Sequence, residues 1–347
     1  MKINKLLAGL LTVVAANVSH AYDIEVDGIC YNIVDGDHLA VTYRGEYVAN
    51  VGITDNDYAG DITIPDSVDI GSGVILPVKE IGNHALMDSK ELHSVKLPPT
   101  IVKLGFLTFC RSGIETLDLS ETKIIDTNNG MCGECVNLRQ VYFPESLRSF
   151  GSEAFSGSGI EEMTLPDNIQ YIFSECFQGS EIRILTLGEK IYSIGEWAFR
   201  GSKIEQINNM ERVKQFHYES VAANMIKSIT IGTDVRISFS FSCLPNLESV
   251  ICLNEKPQVL GKATDTFYGS NADCILWVPD EYLEAYASSE SVTCFFHDIR
   301  PLSQVKLEEA TAADSTAMTL YDLNGRRVSD PRPGQICITS DGRKVRF

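Results

Sequence analysis

Apolar and polar residues alternate along this chain in short bursts, and the bursts recur. Leu92-x-x-Val95-x-Leu97 ends at Pro98, and the same pairing returns at Leu117/Leu119, Val141/Phe143, Met163/Leu165, Leu185/Leu187, Ile229/Ile231 and Val250/Cys252. Period-two alternation marks a strand with one buried side, so Val95 and Leu97 turn inward while Ser94 and Lys96 turn outward. A proline at the strand end suits a position where no ladder donor is needed. Between the bursts stands a second motif, clearest in Ile194-Gly195-Glu196-Trp197-Ala198-Phe199 and repeated at 150–155 and 172–177. Its last residue is an anchor. Leu86, Phe109, Met131, Phe155, Phe177, Phe199, Val221 and Phe241 follow one another 23, 22, 24, 22, 22, 22 and 20 residues apart. A fixed period in this range predicts a solenoid, in which no single turn buries its own apolar face. About eight turns of about 22 residues are expected, with a parallel β-sheet on one face and the anchors filling the opposite side of the core. The seventh turn, with Val221, is the weakest copy.

The flanks break the period. Residues 1–21 carry Lys2 and Lys5, an apolar run from Leu6 to Ala16 and a small-residue site at Ser19-His20-Ala21, the layout of a secretory signal. That run is shorter than the ~20 residues a membrane span requires, and no other stretch is long and apolar enough. Cys30 lies nine residues beyond Ala21, too far for a lipid-anchored start. Residues 22–77 read as short strands and turns (Ile24–Gly28, Tyr31–Gly36, Asp61–Pro65) that cap the repeats of 78–254. An aromatic-rich segment over 255–303, including Phe267, Trp277-Val278-Pro279 and Tyr286, is expected to close the other end. Residues 304–347 form an acidic small-residue linker and a short β tail with an Asn324-Gly325 turn.

Charge narrows the partners. The formal net charge is −18, and loss of residues 1–21 would leave 27 basic against 47 acidic residues. Such a surface repels phosphate backbones and sets nucleic acid aside; it also keeps a long solenoid soluble. Ten cysteines in an exported chain raise the question of disulfides. Cys110 and Cys132 each follow an anchor directly and so share a slot in successive turns, about 4.8 Å apart in a sheet. Cys132 is equally placed to pair with Cys135. Unbridged, all three are small buried hydrophobes.

The motif Ile-Gly-x-x-Ala-Phe, a small-residue turn and then Leu-x-x-Val-x-Leu-Pro resembles the BspA-like leucine-rich repeats of bacterial surface proteins. Ile194 to Phe199 and Phe150 to Pro166 carry the likeness, which extends over about 175 residues; Asp126 and Met131 depart from it. Asp27-Gly28-Ile29-Cys30-Tyr31 and Trp277-Val278-Pro279 look like the flanks of that family. The tail is similar to a shortened C-terminal sorting domain of Gram-negative secretion systems, with Tyr321-Asp322-x-x-Gly325-Arg326 as its first strand. The resemblance implies a leucine-rich repeat solenoid outside the cytoplasm of a Gram-negative bacterium, periplasmic, on the surface or secreted. It also implies a role in interaction, sometimes adhesion, with no enzymatic activity.

The chemistry-bearing residues agree with that implication. No nucleophile elbow, zinc-protease or phosphate-loop motif occurs, and His20, His38, His84, His93, His217 and His297 are scattered. No cofactor or metal is expected. Cys132-Gly133-Glu134-Cys135 lacks the setting of a redox or zinc site. Asp55-Asn56-Asp57-Tyr58-Ala59-Gly60-Asp61 begins like a calcium loop, but Ala59 stands where an oxygen ligand belongs. The candidate site is therefore the outward strand face: Lys96, Asp118, Tyr142, Glu162, Thr164, Thr186, Asn208 and Thr230. Small polar groups around one tyrosine suit an extracellular protein ligand, since aromatic anchors dominate interface energetics. A glycan-binding surface is the alternative. It would need exposed aromatics for sugars to stack on, and this face offers only Tyr142.

Overall fold

In the computed structural model the described residues are 22–49, 51–222, 225–305, 307–309, 319–322, 327–329, 331, 335–340 and 343–346. The leader of 1–21, the Asn324-Gly325 turn and most of the linker lie outside them. The chain forms two compact units, Met1–Leu147 and Arg148–Phe347.

The first unit opens with an antiparallel sheet of Ile24–Val26, Ile29–Val34 and His38–Thr42. Its first hairpin turns at Asp27-Gly28, both at positive φ (50° and 78°), the type I′ geometry that Asp-Gly favours. His38–Thr42 then pairs in parallel with Ile75–Ile81, which in turn pairs with Lys103–Leu104. The Tyr58 hydroxyl ties this cap together, donating to the Thr42 carbonyl (2.8 Å) and accepting from the Cys30 amide (2.9 Å). A second row is made of Gly60–Thr63, Leu92–Lys96, Thr116–Asp118 and Gln140–Tyr142, all parallel. Val95 and Leu117 are buried beneath it, as the alternation requires.

The second unit repeats the plan. Its face row begins with Glu162–Thr164, Ile184–Thr186 and Gln206–Asn208 in register. A further parallel sheet holds Ser228–Ile231, Ser249–Cys252, Ile275–Val278 and Asp298–Pro301. Parallel pairing thus runs past Asn254 into the segment expected as a cap. A back row of two-residue strands at Ser149, Tyr171, Ser193, Gln215 and Arg236 is a feature the alternation does not reveal. It explains the Ile-Gly of the motif. A Cβ on Gly195 would lie 2.7 Å from the Phe173 carbonyl carbon, and one on Gly105 in the first unit 2.3 Å from the Asn83 amide nitrogen. Only glycine lets successive turns approach so closely.

Between the rows the anchors stack. Phe155, Phe177 and Phe199 lie 5.5 and 5.4 Å apart with nearly parallel rings, and Phe241, Phe267 and Phe295 continue at 5.5 Å each. The serine of the Gly-Ser turn serves the backbone: Ser180 and Ser202 hydroxyls donate to the Phe177 and Phe199 carbonyls at 2.8 and 2.7 Å. A buried carbonyl without such a donor would cost about 1–3 kcal/mol. Among the described residues no helix is long and apolar enough to cross a membrane.

Candidate functional site

On the first unit, the face row presents matched rungs: Asp61 beside Ser94, Thr63 beside Lys96, Ser94 beside Thr116, Lys96 beside Asp118, and Asp118 beside Tyr142. Lys96, Gln140 and Tyr142 are exposed, Tyr142 by 46%. The row is partly organised already. The Ser94 hydroxyl donates to Asp61 Oδ1 at 2.5 Å. Asp118 Oδ1 accepts from the Ser120 amide and hydroxyl at 3.0 and 2.7 Å, so its carboxylate is held against its own turn. Asp61 and Thr63 belong to this face, although the sequence reading placed them in the cap. Their signal was present, because Asp61-Ile62-Thr63-Ile64-Pro65 has the alternation and terminal proline of the repeats. Beside them the cap encloses a groove of about 740 Å³, lined in part by Asp27, Tyr31, Arg44, Asp57 and Asp69.

On the second unit the expected face divides. Glu162 and Thr164 are exposed and Thr186 is half-buried. Asn208 and Thr230 are buried, which corrects their placement on an open surface. Asn208 Nδ2 donates to Thr186 Oγ1 (3.0 Å), and Gln206 donates to Asn208 Oδ1 (2.6 Å). Thr230 donates instead to the Ser340 carbonyl at 2.8 Å. For Thr230 the physical reason is the tail. Strands Leu320–Tyr321 and Ile336–Thr339 pair antiparallel, and Tyr321 and Ile338 pack on Ile251, Leu253 and Leu302, with Trp277 at the edge. Arg212 donates to Thr319 Oγ1 (2.9 Å), and Lys344 to the Ser303 carbonyl. Thus the tail lies on the outward side of the last strands. Beneath it Glu211 is almost wholly buried, and burial pushes its carboxyl above the usual carboxylate range.

The three cysteines that could have formed a bridge, Cys110, Cys132 and Cys135, are free, as are all ten. Cys110 packs into a small cluster with Ile53 and Met87. Cys135 Sγ donates to the Phe109 carbonyl at 3.0 Å and lies 3.7 Å from the Ser112 hydroxyl. Burial pushes the Cys110 thiol up to about 12 and the Cys132 thiol well above its usual value, so thiolate chemistry is suppressed at these two; at Cys135 burial is outweighed by the neighbouring Cys132 and Ser112, which draw its thiol lower. The calcium-like segment is likewise committed to protein partners. Asn56 bonds the Arg44 amide and the Ala85 and Met87 carbonyls, while Asp57 pairs with Arg44. Among the described residues no cluster of metal-ligating side chains occurs.

The family described as "BspA type Leucine rich repeat region" matches the chain in six copies, over residues 62–183 and 170–272. Comparison with curated proteins gave no match. Among solved structures, a leucine-rich repeat protein from Bacteroides ovatus is 17% identical (TM-score 0.45), with 83% of this chain and 82% of that chain covered. The leucine-rich repeat protein of T. pallidum is 18% identical over 58% of this chain and 88% of its own, with a TM-score of 0.42. The pneumococcal vaccine antigen PcpA is 16% identical over 80% of this chain and 97% of its own, with a TM-score of 0.33.

Proposed function

The chain belongs to the BspA-type leucine-rich repeat family, and from that membership we propose an exported, non-enzymatic protein that binds another protein through its uncovered strand faces. The observation that carries this reading is the first unit's row of four parallel strands, ending in the exposed ring of Tyr142. A rigid row of outward polar side chains holds its groups in place before a partner arrives, which lowers the ordering cost of binding. Lys96, Asp118 and Tyr142 form the patch on this unit. Glu162, Thr164 and Thr186 form a second patch on the other. The leader-like residues 1–21 support export to the cell surface or beyond, where an adhesive role fits.

Two measurements test this. Recovery outside the cytoplasm with Tyr22 as the first residue would support export, and recovery only in the cytoplasm with residues 1–21 intact would refute it. Partners captured from extracellular host proteins should bind Tyr142→Ala at least tenfold more weakly, because a central aromatic anchor carries about 2 kcal/mol or more. Thr164→Arg, made separately, tests the second patch. Unchanged binding by both variants would place the partner elsewhere.

A further inference from the structure

The second unit carries aromatic side chains on the turns that follow its back-row strands, away from the face. Trp197, Tyr218 and Phe239 form a line with ring centroids 6.3 and 6.4 Å apart. Phe239 is 50% exposed and Tyr268, in the next turn, 70%. Trp197 and Phe239 (φ 55° and 48°) fill the positive-φ slot that glutamates occupy in other turns, Glu153, Glu175 and Glu219 (58°, 58° and 46°), so the turn itself does not call for a ring there. Burial of these rings does not explain them, since large exposed apolar groups gathered in one place mark interaction sites.

Between Tyr218, Phe239 and Tyr268 lies a cleft of about 260 Å³, also lined by Glu219, Ser242 and Asp265. It falls below the roughly 300 Å³ at which small-molecule pockets begin, so it suits a single side chain. Glu219 is held in position, its Oε2 accepting from the Trp197 indole N–H at 3.2 Å. Ser242 is only 3% exposed, and its hydroxyl has no hydrogen-bond partner. A buried hydroxyl left unsatisfied is costly, and a donor entering the cleft would satisfy it. One cation already sits on this row of rings, the Arg200 guanidinium 5.2 Å from the Trp197 ring.

We propose that this cleft receives a lysine or arginine side chain from a basic segment of a partner polypeptide. Ring faces attract cations, and their attraction grows when the cation is partly desolvated. Two carboxylates complete the complement, on a chain whose net charge of −18 favours approach by a basic segment. Lys262, exposed and 4.0 Å from Asp265, and Arg200, whose charge reaches Tyr218, are neighbouring cations that an incoming side chain must displace or avoid. The site is separate from the strand faces and stands or falls without them.

The test is fluorescence anisotropy of a labelled Gly-Lys-Gly-Arg-Gly peptide against the purified full chain, at about 150 mM salt so that diffuse attraction is screened. Tyr218→Ala with Tyr268→Ala leaves the net charge unchanged. It should weaken saturable binding about tenfold, from two rings worth about 0.5–1 kcal/mol each. Asp265→Asn should weaken it too, and a peptide with norleucine and citrulline in place of the two cations should not bind. Tyr268→Ala alone is the fallback should the double variant fold poorly, because its ring is the more exposed. Equal binding by the ring variants would reduce the effect to bulk charge and overturn the proposal. No saturable binding by the parent chain, or binding of a neutral glucan oligomer in its place, would overturn it as well.

Discussion

Phe177→Ala should destabilise the second unit by about 4–5 kcal/mol. The ring is fully buried. It stacks on Phe155 at 5.5 Å and 11° and on Phe199 at 5.4 Å and 4°, and meets the edge of Phe150 at 6.2 Å. Loss of burial with an unfilled cavity costs about 3–5 kcal/mol for this substitution. Each stacked pair adds about 0.5–1.5 kcal/mol beyond its buried area, which places the cost at the upper end. Relaxation is hampered, because Phe177 N also donates to the Ala198 carbonyl (2.8 Å) and the turns on either side fix the backbone. The assay is urea unfolding followed by far-ultraviolet circular dichroism and by the emission of Trp197, one turn along. Phe173→Ala is the internal control. That ring lies in the same turn but is 47% exposed and stacks only on Tyr171, so it should cost less than about 1 kcal/mol. A loss below about 2 kcal/mol at Phe177, or equal losses at both positions, would refute the view that the anchors hold the turns together.

Three further outcomes follow from named contacts. Burial raises the Glu211 carboxyl, so the stability linked to its proton is complete below the usual glutamate value of about 4.3 and lost as pH rises through the raised one. Glu211→Gln should accordingly raise the melting temperature at pH 7 and do little at pH 4; an equal shift at both would contradict the assignment. Iodoacetamide should label only Cys243 and Cys294, the two exposed thiols, in the native chain, and all ten after denaturation. A Cys132–Cys135 bridge in the mass map, or labelling at Cys176, would count against the buried free thiols described above. Ile338→Asp puts a charge into the cluster of Ile251, Leu253 and Tyr321, and should raise limited proteolysis of the tail at least tenfold while leaving the repeats intact. Unchanged cleavage would mean that the tail does not depend on that cluster.

The repeat was legible because its signal is redundant. Val95, Leu117 and Leu185 are read from alternation, and Phe155, Phe177 and Phe199 from spacing, and each copy corroborates the next. The back row was not legible, because a two-residue strand such as Ser193–Ile194 is too short to show a period. Its trace was the glycine of Ile-Gly, whose reason is a close approach to the neighbouring turn rather than a local turn geometry. The extension through Ile275–Val278 and Asp298–Pro301 was hidden for a different reason. Helical turns at Pro257–Leu260 and Ala263–Thr266, ahead of Ile275, stretch the spacing from Phe241 to Phe267 to 26 residues, although the two rings stack like any other pair.

The candidate face shows where one-dimensional reading fails physically. Outward polarity at a strand position states that the residue was not selected for the solenoid core, and nothing more. Thr164 and Thr230 occupy equivalent places in their strands and have the same side chain, yet one is exposed and the other donates to the Ser340 carbonyl, 110 residues away. Two cues separate them. Ile251 and Trp277, also outward, are apolar where a solvated face would be polar, and Tyr321 and Ile338 supply apolar groups that the tail cannot bury within itself. An apolar stripe on the outer side of a parallel sheet therefore predicts a covering segment, and its absence at Lys96, Asp118 and Gln140 predicts none. That reasoning, applied strand by strand, keeps partner binding on the polar rungs and assigns the last strands to the tail.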